Sequence, residues 1–86
     1  MAKQMALTFQ LLDIYIAAFL ILLGIHPKLE LNNGRVVFVF PATDDVYKAI
    51  ANYNSNVNVP VADFVTAVKS LRGQMLTLRD GRGMGK

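Results

Sequence analysis

Residues 28–40 read KLELNNGRVVFVF, and this stretch decides the fold. Asn33 and Gly34 stand between two segments in which apolar residues alternate along the chain. Asn-Gly is the favoured pair for a two-residue type I′ turn, because both central residues of that turn need a positive φ. The stretch therefore predicts a β-hairpin, whose turn pairs Asn32 with Arg35 and sets the register of both strands.

The register sorts the hairpin side chains onto two faces, because successive residues of a strand point to opposite sides. One face is apolar and consists of Leu29, Leu31, Val36, Phe38 and Phe40. The other face carries Lys28, Glu30, Arg35, Val37 and Val39. A two-stranded hairpin is marginally stable in water, so the apolar face is expected to pack against a helix.

The run before the hairpin predicts that helix. Residues 14–25 carry no charge, Asp13 stands at the start as a candidate cap, and Gly24 provides a stop signal. The uncharged run is shorter than the roughly 20 residues that a bilayer requires, so we expect a buried core helix and not a membrane span. The preceding residues 1–10 are predicted to be a loose leader, with residues 1–8 outside the packed part of the domain.

Two more helices are predicted after the hairpin. The first has Thr43 or Asp44 as its cap and runs to about Tyr53. An asparagine-rich linker over residues 54–58 follows, and Pro60 suits the first turn of the next helix.

The last predicted helix carries an apolar stripe at alternating spacings of three and four, made of Val61, Phe64, Val68, Leu71 and Met75. Two interpretations stay open: the stripe faces the core, or it continues past the core into a helix-to-helix dimer contact. Gly73 is expected to weaken the helix, and residues 79–86 are predicted to be a flexible, basic, glycine-rich tail. The prediction is thus a single α+β domain over residues 1–78 in the order α-β-β-α-α.

Composition removes several classes of function. The chain has 86 residues, no cysteine and one histidine, so thiolate chemistry is excluded and a zinc site of the usual kind is not expected. Neither paired acids on one helix face nor a glycine-rich phosphate loop is present. We therefore predict a protein that is not an enzyme and uses no metal or cofactor.

The net charge of +3 is unevenly distributed. Residues 1–66 hold four basic and five acidic residues, a net charge of −1, whereas residues 67–86 hold five basic residues and one acidic residue, a net charge of +4. The basic side chains of this end are Lys69, Arg72, Arg79, Arg82 and Lys86. Hydrophobic residues make up 53% of the chain, a high proportion for so short a domain.

The order of helix, Asn-Gly hairpin and two helices resembles a family of small bacterial and phage proteins that is catalogued as a domain of unknown function. The likeness lies in LDIYIAAFL at residues 12–20 with Gly24 behind it, in VFVF at residues 37–40, and in Phe64, Ala67, Lys69 and Leu71 after Tyr53-Asn54. The resemblance implies a soluble accessory protein of phage or mobile-element type. It transfers no catalytic or binding residue.

Three functional hypotheses follow. The first is a cytoplasmic protein that acts by self-association, with a dimer favoured, and by binding a protein partner. Its candidate interface is the apolar surplus at Val37, Val39, Leu71 and Met75, since small monomers rarely leave large apolar patches unused.

The second hypothesis is weak, sequence-independent nucleic-acid binding through Lys69, Arg72, Arg79, Arg82 and Lys86. No aromatic residue lies among these cations, so base stacking has no platform there. The third hypothesis is a small membrane-associated protein anchored by the first helix.

Overall fold

A computed structural model of the protein describes residues 7–84, and the side chains of residues 7–80. Its elements are β1 (Thr8–Leu11), α1 (Ile14–Leu22), β2 (Lys28–Asn32), β3 (Arg35–Pro41), α2 (Asp44–Asn54) and α3 (Val61–Met84). The strands form one antiparallel sheet in the order β1-β3-β2. Buried side chains of all three helices form a single core with Phe38 and Phe40, so the helices cover one face of the sheet. The predicted α+β class is confirmed.

The hairpin has the predicted register. Asn32 pairs with Arg35 and each further pair follows in step, as far as Lys28 with Val39. Asn33 and Gly34 have φ values of 53° and 82°, which is the left-handed conformation that the type I′ turn requires.

The sheet has a third strand, in the segment predicted to be a loose leader. β1 pairs with β3, placing Phe9 opposite Phe40 and Leu11 opposite Phe38. The predicted leader is therefore wrong from Thr8 onward, while residues 1–6 lie outside the described part of the chain. Polar and apolar side chains alternate over residues 8–11, so Phe9 and Leu11 both point to the core side of the sheet.

Both predicted ends of α1 are confirmed. Asp13 Oδ1 accepts hydrogen bonds from the backbone N–H groups of Tyr15 and Ile16, at 2.8 and 3.2 Å. At the other end the N–H of Gly24 donates to the Ile21 carbonyl and that of Ile25 to the Leu20 carbonyl, with Gly24 at φ 86°, which together form a Schellman cap.

The middle of α1 is buried, as the sequence predicts: Ala17, Ala18, Phe19 and Leu20 all belong to the core. α1 packs against α3, whose buried Ala67, Val68 and Leu71 belong to the same core. Within residues 7–84 no helix combines the length and the apolar composition that crossing a bilayer demands.

α2 begins after Thr43, whose Oγ1 accepts a hydrogen bond from the N–H of Val46, so Thr43 and not Asp44 is the cap. The helix contributes Val46 and Ala49 to the core. In the linker that follows, Asn56 adopts a φ of 61°, in keeping with the tolerance of asparagine for left-handed backbone.

α3 is longer and less interrupted than predicted. The helix passes through Gly73 and through the predicted domain boundary at Leu78, and it ends at Met84. The flexible tail expected from residue 79 is thus helical as far as residue 84, and residues 85–86 lie outside the described part. Met75 and Leu78 are half-buried, and their packing stabilises the helix beyond Gly73.

Candidate protein interface

The four residues predicted as an interface do not form one exposed surface. Leu71 is fully buried in the core between α3 and α1, and Val37 is also buried. Val39 and Met75 are half-buried, the first on the outer face of the sheet and the second on the inner face of α3. Their selection as a common contact surface is therefore wrong, because two of the four are covered within the single chain.

Burial of Val37 has a local cause. Val37 lies on the face of the sheet that the helices leave open, in the central strand, with Glu30 as its partner across the ladder. It also shares a cavity wall with Gln10 and Leu12 on the β1 side. The third strand, absent from the prediction, supplies the cover that a two-stranded hairpin would have lacked.

The apolar side chains that do reach solvent lie elsewhere. On α3 they are Val61, Val65 and Leu76. At about 100° per residue these three positions fall within an arc of roughly 60°, on the flank of the helix next to the buried Val68. Val61 had been predicted to belong to the core stripe, but it lies in the first turn of α3 and is exposed.

Cations share this arc of α3. Arg72 and Arg79 fall within it and Lys69 lies at its border, all three exposed. Among the described side chains there is one ion pair within 4.0 Å, between Lys28 and Glu30. No described carboxylate therefore pairs with Lys69, Arg72 or Arg79. Arg82 lies within α3 but beyond the described side chains, and Lys86 lies outside the described residues.

α1 extends the exposed apolar area beyond α3. The ring of Tyr15 stacks on that of Phe64, with centroids 6.5 Å apart and planes inclined by 22°. Leu12, in the bend just before α1, lines a cavity together with Met75 and Arg79 of α3. We call the combined area the α1–α3 surface. It consists of Leu12, Tyr15, Val61, Val65 and Leu76 with Lys69, Arg72 and Arg79.

A small cavity lies at one end of the α1–α3 surface, where the hairpin turn approaches α3. It has a volume of about 240 Å³ and is lined by Leu12, Gly34, Arg35, Val36, Met75 and Arg79. Val36 is buried and Met75 half-buried, so apolar side chains form the floor. Arg35 and Arg79, both exposed, also line it, although the side chain of Arg35 lies on the same sheet face as Val37.

Two larger depressions have linings that share no residue with this cavity. One, of about 450 Å³, lies among Phe19, Tyr53, Phe64 and the linker asparagines. The other, of about 600 Å³, is an open groove between β2 and α3, lined by neutral side chains such as Leu29, Ser70 and Thr77. Neither lining contains a histidine or a carboxylate. Over the described residues no three histidine, aspartate or glutamate side chains come together as metal ligands.

Leu12 and Tyr15 were not predicted to be surface residues. Both lie at the start of a run that is apolar almost throughout, so composition does not show which side faces solvent. One weak indication of exposure exists for Leu12: it lies between the alternating residues 8–11 and the capping residue Asp13, where the chain bends.

These observations define a small α+β domain with helices on one face of a three-stranded sheet and an apolar surface edged by cations. The chain belongs to the family described as a domain of unknown function (DUF5659), whose family model matches residues 6–77. The resemblance to a domain of unknown function is thus confirmed. The match includes all the apolar residues of the α1–α3 surface and ends just before Arg79. No curated protein and no solved structure matches the chain.

Proposed function

We propose that this protein is a non-enzymatic accessory protein that acts by binding another protein through the α1–α3 surface. In the form that its family resemblance favours, it is a cytoplasmic protein of phage or mobile-element type. The observation that carries the proposal is the grouping of five exposed large apolar side chains along α3 and the start of α1. Covering an exposed side chain of this size contributes about 1.5 to 3 kcal/mol when burial is complete.

The geometry supports docking of an elongated element. Val61 and Leu76 are fifteen residues apart on one helix, which corresponds to about 22 Å of helix length. Tyr15 and Leu12 widen the stripe on the α1 side. A helix or strand of a partner that lies along α3 would cover these side chains together.

Self-association through the same surface is a second form of the proposal. A second copy would bring the same three cations, Lys69, Arg72 and Arg79, into the contact, and like charges in an interface reduce its stability. A partner with acidic residues therefore fits the surface better than a second copy does.

Weak nucleic-acid binding is kept as an alternative function. Its support is the alignment of Lys69, Arg72 and Arg79 on one side of α3, with no described carboxylate paired to them. The exposed valines and leucine between these cations are a poor match for a phosphate backbone.

The experiment that tests the proposal compares two valines of equal exposure. Val65 lies on the α1–α3 surface and is 43% exposed, whereas Val57 lies in the linker before α3 and is 42% exposed. We expect Val65→Asp to abolish recovery of specific partners from cells that produce the protein, and Val57→Asp to leave recovery unchanged. Light scattering during size exclusion on the same variants separates partner binding from self-association.

Equal recovery of the same partners with both variants would contradict the proposed surface. Loss of partners only after nuclease treatment would assign the contact to nucleic acid instead.

A further inference from the structure

β2 forms one edge of the sheet, because the strand order is β1-β3-β2. Its outer side has no partner strand among residues 7–84, and no other described backbone group or side chain hydrogen-bonds to it. An unpaired strand edge presents a row of N–H and C=O groups that can pair with another strand. This edge is separate from the α1–α3 surface, which contains no residue of β2.

The register of the hairpin determines which backbone groups of β2 point outward. In a two-residue turn the flanking residues hydrogen-bond to each other, so the N–H and C=O of Asn32 face β3. Hydrogen-bonded and non-hydrogen-bonded pairs alternate along an antiparallel ladder, so the N–H and C=O of Glu30 and Lys28 also face β3. The N–H and C=O groups of Leu29 and Leu31 therefore point away from the sheet.

β2 is complementary in charge to a reversed copy of itself. Its first three residues are Lys28, Leu29 and Glu30. When two copies of β2 lie antiparallel with Leu29 opposite Leu29, Lys28 of each copy lies opposite Glu30 of the other. These are non-hydrogen-bonded pairs, in which facing side chains are closest, and opposite charges in such pairs are stabilising.

Other registers of the same pairing are less favourable. A register centred on Lys28 or on Glu30 places two like charges directly opposite each other, which is destabilising. A register centred on Leu31 places Lys28 opposite the hairpin turn, so neither ion pair forms. In the register centred on Leu29, the two Leu29 residues exchange backbone hydrogen bonds, and the N–H of each Leu31 faces the carbonyl of Pro27.

Both charged side chains are accessible to a second copy. Lys28 and Glu30 lie on the sheet face that the helices leave open, and their side chains are 78% and 44% exposed. Within one chain Lys28 Nζ and Glu30 Oε2 are 4.0 Å apart. A second copy would therefore complete a group of four charges of alternating sign, in which each charge has an opposite neighbour along its own strand and another across the contact.

The helical side of this edge is uncharged. The groove of about 600 Å³ beside β2 is lined by Pro27, Leu29, Ser70, Gly73, Gln74, Thr77 and Leu78. The flank of α3 that borders β2 is thus neutral, whereas Lys69, Arg72 and Arg79 do not line this groove. Two copies that meet at β2 therefore avoid the repulsion between like charges that opposes self-association through the α1–α3 surface.

We propose that β2 pairs antiparallel with β2 of a second copy, with Leu29 opposite Leu29 and Lys28 opposite Glu30. The product is a twofold dimer in which the sheets of both copies are continuous. The inference goes beyond the proposed function and does not rest on it, because the β2 edge and the α1–α3 surface share no residue.

Charge reversal tests both the pairing and its register. Lys28→Glu and Glu30→Lys each place like charges opposite each other, and each is expected to weaken dimerisation of the full chain at least about tenfold. The double variant Lys28→Glu/Glu30→Lys restores opposite charges and is expected to dimerise within about threefold of the parent chain. Sedimentation equilibrium measures all three dissociation constants, and circular dichroism checks that each variant is folded.

A matched control separates this contact from a general effect of charge. Lys48 is exposed on α2, away from β2, so Lys48→Glu changes the net charge by the same amount as Lys28→Glu. We expect Lys48→Glu to leave the dissociation constant of the dimer unchanged.

Mixing the two single variants gives the sharpest test. The acidic pair of side chains in Lys28→Glu faces the basic pair in Glu30→Lys, so both ion pairs form in a heterodimer. We expect this heterodimer at concentrations at which each variant alone is monomeric. In the parent dimer, hydrogen exchange of the Leu29 and Leu31 amides should be slower than in monomeric Glu30→Lys, because these N–H groups become hydrogen-bonded.

A parent chain that stays monomeric up to about 1 mM would overturn the inference. So would a dimer that withstands both single substitutions, a mixture of the two variants that stays monomeric, or Leu29 and Leu31 amides that exchange equally fast in dimer and monomer. None of these measurements involves Val65 or the recovery of partners, so failure of the β2 contact is distinguishable from failure of the proposed function.

Discussion

Tyr15 and Phe64 join the start of α1 to the first half of α3 through rings that stack at 6.5 Å. Phe64 is half-buried against the core, whereas 47% of Tyr15 is exposed to solvent. This contact joins α1 to α3 at two residues that are almost fifty positions apart in sequence. The proposed function uses exposed side chains of both helices.

The two leucines of α3 at positions 71 and 76 should respond very differently to truncation. Leu71 is 0% exposed and Leu76 is 50% exposed. We expect Leu71→Ala to lower the free energy of unfolding by about 2 to 5 kcal/mol, because it leaves a cavity in the core. Leu76→Ala should change it by less than about 0.5 kcal/mol. Urea denaturation followed by circular dichroism measures both, and a similar loss for the two variants would contradict the assigned burial.

β1 should contribute substantially to stability through Phe9. Its ring stacks on Phe40 at 6.2 Å and on Tyr47 at 5.5 Å, which connects the first strand to β3 and to α2. Phe9→Ala should therefore lower the free energy of unfolding by about 2 kcal/mol. Leu7→Ala is the control, since Leu7 is exposed just before the strand. If both variants unfold at the same urea concentration as the parent protein, β1 does not pack on β3.

Two glycines are predicted to have opposite effects when replaced by alanine. Gly34 has a φ of 82°, so Gly34→Ala should destabilise the protein by about 1 to 2 kcal/mol. Gly73 lies within α3 and a Cβ placed there meets no atom within 4 Å, so Gly73→Ala should stabilise the protein by about 0.5 to 1 kcal/mol. Thermal unfolding of both variants measures these two changes in stability. A destabilising Gly73→Ala would mean that α3 is interrupted at residue 73.

Asp13 is expected to stabilise α1 as its N-terminal cap. Asp13→Ala removes both the acceptor for two N–H groups and a negative charge at the helix start, and should cost about 1 to 2 kcal/mol. Asp13→Asn keeps an acceptor oxygen and should lose less than half of that. Equal losses for the two variants would show that charge and not capping is the main contribution.

The hairpin was predictable to the residue because two independent signals agree. The Asn33-Gly34 pair requires a type I′ turn, and only one register then gathers the apolar residues on one face. The caps of α1 were predictable for a similar reason, since Asp13 and Gly24 have local roles that do not depend on the rest of the fold.

The third strand and the extent of α3 were not predictable in the same way. β1 has four residues, too few for alternation to stand out, and its stability comes from pairing with β3. Glycine at position 73 is unfavourable in a helix by about 1 kcal/mol, and tertiary packing of Leu71, Met75 and Leu78 exceeds that cost.

The candidate interface was mislocated because periodicity shows which residues share a face but not where the core ends. Leu71 and Val61 belong to the same stripe, yet Leu71 is buried in the core and Val61 is exposed in the first turn of α3. Arg35 and Arg79 are brought together by the fold, and nothing in their sequence positions indicates that they line one cavity.

Photo-cross-linking from two tyrosine positions tests the central claim most directly. Tyr15 lies on the α1–α3 surface and is 47% exposed, whereas Tyr47 lies on α2 and is 52% exposed. With p-benzoylphenylalanine at either position in producing cells, we predict a discrete cross-linked partner protein from position 15 and none from position 47. Additional Val65→Asp substitution should remove the product. Cross-linking of equal yield from both positions, or from position 47 alone, would contradict the assignment of the α1–α3 surface as the binding site.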